Sequence, residues 1–172
     1  MRPKGVKTDT LEVAIKNRRS IRQFIKKEIT KALVDKVIDA GRWAPSGLNN
    51  QPWAFKVLDG EKKDSLSRYT KYSRIITGAN KLLLVFLDKK YSYNYEKDLM
   101  AIGACIENML LYAYSKQIGT CWLGEILNKK KSIQKILKIP ANFELTAVIA
   151  LGYYSKLAKL PQRRKINELI LK

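Results

Sequence analysis

The feature that most constrains this chain is the stretch from about Asp98 to Lys116, a helical run that is apolar almost all round. Leu99, Ile102, Ile106, Met109, Leu110 and Ala113 repeat at helical spacing, while Met100, Ala104, Cys105, Leu111 and Tyr112 fill the other side. A helix of that kind must be covered on several sides. The 172 residues fit one domain, 1–172, large enough to bury a real core. In a domain this small, part of the cover is expected from a partner subunit.

The remaining pattern mixes helices and strands without strict alternation. Residues 9–18 read as a short helix with Leu11, Ala14 and Ile15 on its apolar face, and Thr30 as the N-cap of a helix running to about Trp43. Pro45-Ser46-Gly47 breaks that helix. Strands are expected over Trp53–Leu58, 81–87, Ile118–Leu123 and Leu145–Leu151, and lysine-rich helices over 61–70 and Lys129–Lys138. Lys89 to Lys97, rich in Tyr and Lys, reads as a loop or lid. The fold class is therefore α+β.

Composition then removes functions. The chain has no histidine, which excludes Ser-His-Asp and Cys-His hydrolases and the common zinc sites. Its two cysteines, Cys105 and Cys121, show no metal spacing; Cys121 reads as a packed core thiol rather than a redox thiol. No apolar run approaches the roughly 20 residues of a membrane helix. The basic N-terminus, Met1-Arg2-Pro3-Lys4, leads into no apolar signal core, so a cytoplasmic location is expected.

The net charge of +19 invites a nucleic-acid reading. Most of the excess, however, is lysine scattered along the whole chain, as on a solvated surface. The arginines differ: of nine, five fall in Arg18-Arg19…Arg22 and Arg163-Arg164. A guanidinium is a rigid fork suited to bidentate phosphate contact, so the clusters suggest a specific anion site.

Four segments carry the candidate chemistry. Arg18-Arg19-Ser20-Ile21-Arg22 offers guanidinium forks, a hydroxyl and backbone N–H groups suited to a terminal phosphate; a solvated charge cluster is the plainer reading. In Ala44-Pro45-Ser46-Gly47-Leu48-Asn49-Asn50-Gln51-Pro52-Trp53, Pro and Gly fix a rigid loop. Its amide side chains have the paired donors and acceptors that read a heteroaromatic edge. Gly119-Thr120-Cys121-Trp122-Leu123-Gly124-Glu125 has glycines that let backbone approach a flat ligand, or is simply a buried strand with its turn. Arg163-Arg164 is a second clamp on the same phosphate or a solvated terminus.

Together these segments resemble the FMN-dependent nitroreductase family over about residues 10 to 170. The Arg-Arg-Ser-x-Arg element lies at Arg18–Arg22, and the Pro-Ser-x-x-Asn-x-Gln-Pro-Trp loop matches position for position at Pro45–Trp53. The central helix with its following glycine–tryptophan segment spans Ile102–Ile126, and Ala150–Tyr153 with the late arginine completes the pattern. The chain departs from the family in having little room between Arg74 and Asp98 for the helical insertion of larger members, and in altering the second glycine of the Gly-x-Gly pattern.

The resemblance implies a nitroreductase-like fold, with a mostly antiparallel central sheet flanked by helices around a long buried helix. It implies a homodimer with FMN at the subunit interface. Arg18, Ser20 and Arg22 would hold the FMN phosphate, with Arg19 assisting and Arg164 and Arg163 joining from the tail, about 153–172. Pro45, Ser46, Asn49 and Gln51 would lie along the isoalloxazine and ribityl groups from the neighbouring subunit, and Leu123 and Gly124 would place backbone amides at the ring. NADH or NADPH would reduce the flavin, which explains how a histidine-free chain does redox chemistry. A nitroaromatic or quinone would reoxidise it. With no Rossmann or P-loop glycine pattern, nicotinamide is expected to bind transiently on the flavin. The alternatives are reduction by an acidic protein such as a ferredoxin, and a basic nucleic-acid-binding protein.

Overall fold

A computed structural model describes residues 11–159 and 161–171. Residues 9 and 10 of the expected first helix, the Met1–Lys4 segment and Lys172 lie outside them. The elements run α1 (Leu11–Asn17), α2 (Lys31–Arg42), β1 (Trp53–Leu58), α3 (Gly60–Asp64), α4 (Ser73–Gly78) and β2 (Lys81–Asp88). They continue through α5 (Tyr95–Ser115), β3 (Gly119–Leu123), α6 (Lys130–Ile136) and β4 (Phe143–Gly152). The strands form one antiparallel sheet in the order β1-β2-β4-β3. No helix among the described residues is long and apolar enough to cross a membrane.

β2 reads as an unbroken apolar run because it is buried on both faces. Leu83, Val85 and Leu87 face α2 and α5, while Leu82, Leu84 and Phe86 face the opposite layer. Its neighbour β4 alternates in the same way except at Thr146. The register passes from Val85↔Ala147 to Phe86↔Leu145, so Thr146 is an extra residue, and its Oγ1 donates to the Val85 carbonyl at 3.0 Å. That bulge keeps Leu145 and Ala147 on opposite faces although they are two residues apart.

α5 lies across the first face, with Ile102, Cys105, Ile106, Met109 and Ala113 in the core beside Val34 and Val37 of α2. Burying the larger of these, Ile102, Ile106, Met109, Val34 and Val37, contributes about 1.5–3 kcal/mol each. The other side of α5 is less covered: Met100 is 73% exposed. Further exposed apolar groups are Leu11, Ile15, Trp43 and Leu48.

The layer on the second face corrects the expected helix over 61–70. α3 stops at Asp64, a 3-10 segment runs over Ser65–Tyr69, and a separate α4 follows. Lys63 joins the two helices. Its side chain is buried, and Nζ donates to the Ile76 carbonyl at 2.8 Å and the Thr77 carbonyl at 3.2 Å while pairing with Asp64. A buried ammonium on the last carbonyls of α4 ends that helix favourably. α5 also starts earlier than expected, because the Asn94 side chain accepts from the Lys97 amide and caps it.

Candidate functional site

Past α1 the chain turns and runs beside β3. Ser20 bridges Thr120 in parallel, and the Ile21 amide donates to the Thr120 carbonyl at 2.8 Å. A little further on, the Ile25 amide donates to the Tyr153 carbonyl at 2.9 Å. The segment is thus pinned to the sheet edge at two points. Gly119 permits this close approach: a Cβ there would sit 2.8 Å from Ile21 Cγ1 and 2.7 Å from Tyr154 Cδ1. This glycine serves the chain's own packing, which corrects the reading of both flanking glycines as room for a ligand. At Gly124, by contrast, a Cβ would meet no protein atom within 4 Å.

Pinning the segment gathers the arginines. Arg18, Arg19, Ser20, Arg22, Ala158, Lys159, Pro161 and Arg163 line a cavity of about 280 Å³. Five cations and no carboxylate form its wall, so its potential is strongly positive. Arg18 is steadied from outside the cavity: its Nε donates to Glu107 Oε1 on α5 at 3.2 Å. That contact engages Nε and leaves the paired Nη nitrogens for another partner.

Arg19 is turned inward and nearly buried. Its Nη1 donates to the Lys16 and Arg18 carbonyls at 2.8 and 2.6 Å, and its buried Nε has no hydrogen-bond partner. Of the two late arginines, Arg163 reaches the cavity. Arg164 instead donates to the Glu168 carbonyl at 2.7 Å and pairs with the Glu168 carboxylate.

The Pro45–Trp53 loop lies elsewhere. It is tied to the start of α5, where Asn50 Nδ2 donates to Asp98 Oδ1 at 2.7 Å. Asp98 precedes Glu107 by nine residues, about 14 Å along the helix axis. Pro45, Asn49 and Gln51 are exposed, and Ser46 Oγ accepts from the Gln51 amide at 3.0 Å. Within one protomer the loop therefore does not line the arginine cavity. Leu123 ends β3 three residues past Thr120, roughly 10 Å further along the strand, and Gly124 follows it. The Leu123 side chain is buried in the second core, so it is not available to a ligand.

Neither cysteine belongs to the site. Burial pushes the Cys105 thiol up to about 12, and burial raises Cys121 as well, with Arg22 opposing it weakly. A second cavity, about 490 Å³, is lined by Lys56, Leu58, Lys62, Ser65, Arg68 and residues of the α6 end. It contains none of the residues singled out by sequence. Sequence reading also missed Glu107 and Asp98, the two α5 carboxylates that hold Arg18 and Asn50 of the two candidate segments. Asp98 was open to detection, since it falls on the helix's apolar stripe, four residues before Ile102.

Fold and site define an α+β protein with a two-faced antiparallel sheet, a central buried helix and an arginine-walled cavity at the sheet edge. The chain belongs to the nitroreductase family: the Nitroreductase family profile matches residues 15–71 and 62–153. It is similar to a crystal structure of a "putative nitroreductase in complex with FMN" from Desulfovibrio desulfuricans. The TM-score is 0.89 and the identity 41%, over 92% of this chain and 94% of that one. An Archaeoglobus fulgidus protein named "Putative NADH dehydrogenase/NAD(P)H nitroreductase" is 34% identical over 81% of this chain and 82% of its own length. The 4-nitrobenzoate reductase of Pseudomonas putida is 42% identical, over 94% of this chain and 93% of its own.

Proposed function

We propose that the protein is an FMN-dependent oxidoreductase that passes hydride from NADH or NADPH to a small acceptor such as a nitroaromatic or quinone. The observation that carries this is the cavity in which Arg18, Ser20 and Arg22 meet Arg163 from a segment far away in sequence. Its chemistry fits a phosphate monoester. The wall is cationic and free of carboxylates, Ser20 adds a hydroxyl, and the Arg19 Nε is a buried donor without a partner. Just past the end of β3, roughly 10 Å by strand rise from the Thr120 that Ser20 bridges, a Cβ on Gly124 would meet no protein atom within 4 Å, which leaves space for a flat ring.

Bound FMN would supply the hydride-accepting and hydride-donating atom, so no side chain has to act as an acid–base catalyst. The chain's residues bind and orient. Arg18, Arg22 and Arg163 neutralise the phosphate, and Glu107 fixes the Arg18 fork before binding. Backbone N–H groups at Leu123 and Gly124 would face the ring and stabilise the negative charge of its reduced form. Ser46, Asn49 and Gln51 would read the ring edge from the neighbouring subunit. A homodimer is supported by the distance of that loop from the arginine cavity in one protomer and by the exposed Trp43, Leu48 and Met100.

The test is anaerobic mixing of the purified protein with NADH and NADPH. Bleaching of the flavin absorbance by either, and its return on adding a nitroaromatic or quinone, is expected. Flavin that neither nicotinamide reduces would sink this reading in favour of a protein donor.

A further inference from the structure

Asp98 is fully buried, yet it lies at the meeting point of two surface loops. Its Oδ1 accepts from Asn50 Nδ2 at 2.7 Å, in the Pro45–Trp53 loop. Its Oδ2 accepts from Ser92 Oγ at 2.7 Å, the Tyr93 amide at 3.0 Å and the Asn94 amide at 3.2 Å, all in the tyrosine-rich segment. All four donors are neutral. A carboxylate is costly to bury, and this one is tolerated because its lone pairs are filled. Burial pushes its pKa up, but the hydrogen bonds from Ser92, Asn50 and the Asn94 and Tyr93 amides outweigh that, so the group stays ionised at neutral pH.

The loop it holds is one that local preference does not favour. Leu48, Asn49 and Gln51 have φ of 54°, 54° and 49°, left-handed backbone that residues with a side chain seldom adopt. Asn50 sits between them, and its Nδ2 donates to the Tyr91 carbonyl at 2.8 Å as well as to Asp98. A second contact locks the same two segments together. A Cβ on Gly47 would lie 2.1 Å from the Tyr93 hydroxyl, so that ring closes directly over the loop backbone.

We infer that Asp98 is a positioning residue that couples the Pro45–Trp53 loop to the Tyr91–Tyr95 segment, holding the side chains proposed to read the flavin and the tyrosine-rich segment beside them as one unit. Its effect on the flavin rests on the function proposed above. The coupling of the two segments does not. Asp98 itself touches no reacting group; it acts through Asn50, whose neighbours Asn49 and Gln51 carry the contact. Strain concentrated at a ligand-facing loop and held by a buried anchor is a means of pre-organising a site.

The test is Asp98→Asn in the full-length protein, which keeps the shape but turns an amide NH2 towards donors. Hydrogen–deuterium exchange is expected to rise together in residues 46–51 and 91–95, by about tenfold for loss of one charged hydrogen bond. Per bound FMN, the acceptor KM is expected to rise several-fold more than kcat falls, and the flavin absorbance band to shift. A purely structural role would lower Tm and leave those per-flavin values unmoved, which would overturn the proposal. Exchange that rises in 91–95 alone would overturn it too. Ser92→Ala removes one donor only and is expected to give the same paired pattern more weakly, so the coupling is judged even where Asp98→Asn does not fold. Wild-type protein that binds no FMN would contradict the proposed function, while the exchange measurement would still decide the coupling.

Discussion

One chemical change, a single added methyl group, is expected to have opposite consequences at two glycines five residues apart. At Gly119 the new Cβ would come within 2.7 Å of Tyr154, 2.8 Å of Ile21 Cγ1 and 3.0 Å of Ile21 Cβ. Ile21 Cβ adjoins the backbone, so the Arg18–Arg22 segment has to move away from β3. Overpacking of this kind costs about 1–3 kcal/mol. At Gly124 the Cβ meets nothing within 4 Å, and φ −87° with ψ −38° is a conformation alanine adopts freely. Gly124→Ala is therefore neutral or stabilising for the apo fold, by up to about 1 kcal/mol through the unfolded chain. For a chain of this length 1 kcal/mol moves Tm by roughly 2–4 °C. Thermal unfolding of the flavin-free protein is then expected to drop by about 2–12 °C for Gly119→Ala and to hold or rise slightly for Gly124→Ala. FMN titration should show weakened binding in both, for different reasons: a displaced phosphate segment in the first, a filled ring space in the second. Unchanged FMN affinity in Gly124→Ala would refute the placing of the ring there.

Asp98 and Glu144 both have folded-state pKa values held below the usual carboxylate range, Glu144 mainly by its hydrogen bond from Lys130 against the cost of burial. A lowered folded pKa gives stability that is present above the unfolded value and lost as pH falls through the folded one. Acid titration of Tm should accordingly show a loss beginning near about pH 4 that is shallower in Asp98→Asn; an identical slope in the variant would contradict the assignment. Both thiols are buried and shifted up, so a disulfide reagent at neutral pH should label neither in the native protein and both after denaturation. Rapid native labelling of Cys121 would reopen a redox role for it.

The parts of the fold legible in the sequence are those whose cause is local. α5, β2 and β4 announce themselves by period and by apolar runs, and the Thr30 cap sits where expected, its Oγ1 accepting from the Leu33 amide at 3.3 Å. α4 was not legible, because six residues with Ile75 and Ile76 side by side carry no helical stripe. Its end is fixed by Lys63, ten residues before the helix begins. The Thr146 bulge is equally silent, since it exists only in the register with β2. Of the candidate site, residue types at fixed spacing pointed to the arginine segment, which lines the cavity, and to the amide loop, which lies apart from it within one protomer. Pairings at long sequence distance were invisible: Glu107 with Arg18, the bond from Asn50 to Asp98 (although Asp98 itself stands out on the apolar stripe of α5), and the choice of Arg163 over Arg164 at the cavity.

The central claim is that the arginine cavity is an FMN phosphate site, and the most direct measurement is the flavin content of Arg18→Ala/Arg22→Ala beside wild type. Neither side chain supports the core: Arg22 is exposed, and the Arg18–Glu107 pair is partly solvated, so the fold should survive both changes. Wild type is expected to purify yellow and to release FMN, not FAD, on denaturation. The double variant is expected to be folded, with circular dichroism unchanged, and colourless. Stoichiometric FMN retained in the folded double variant would contradict the account.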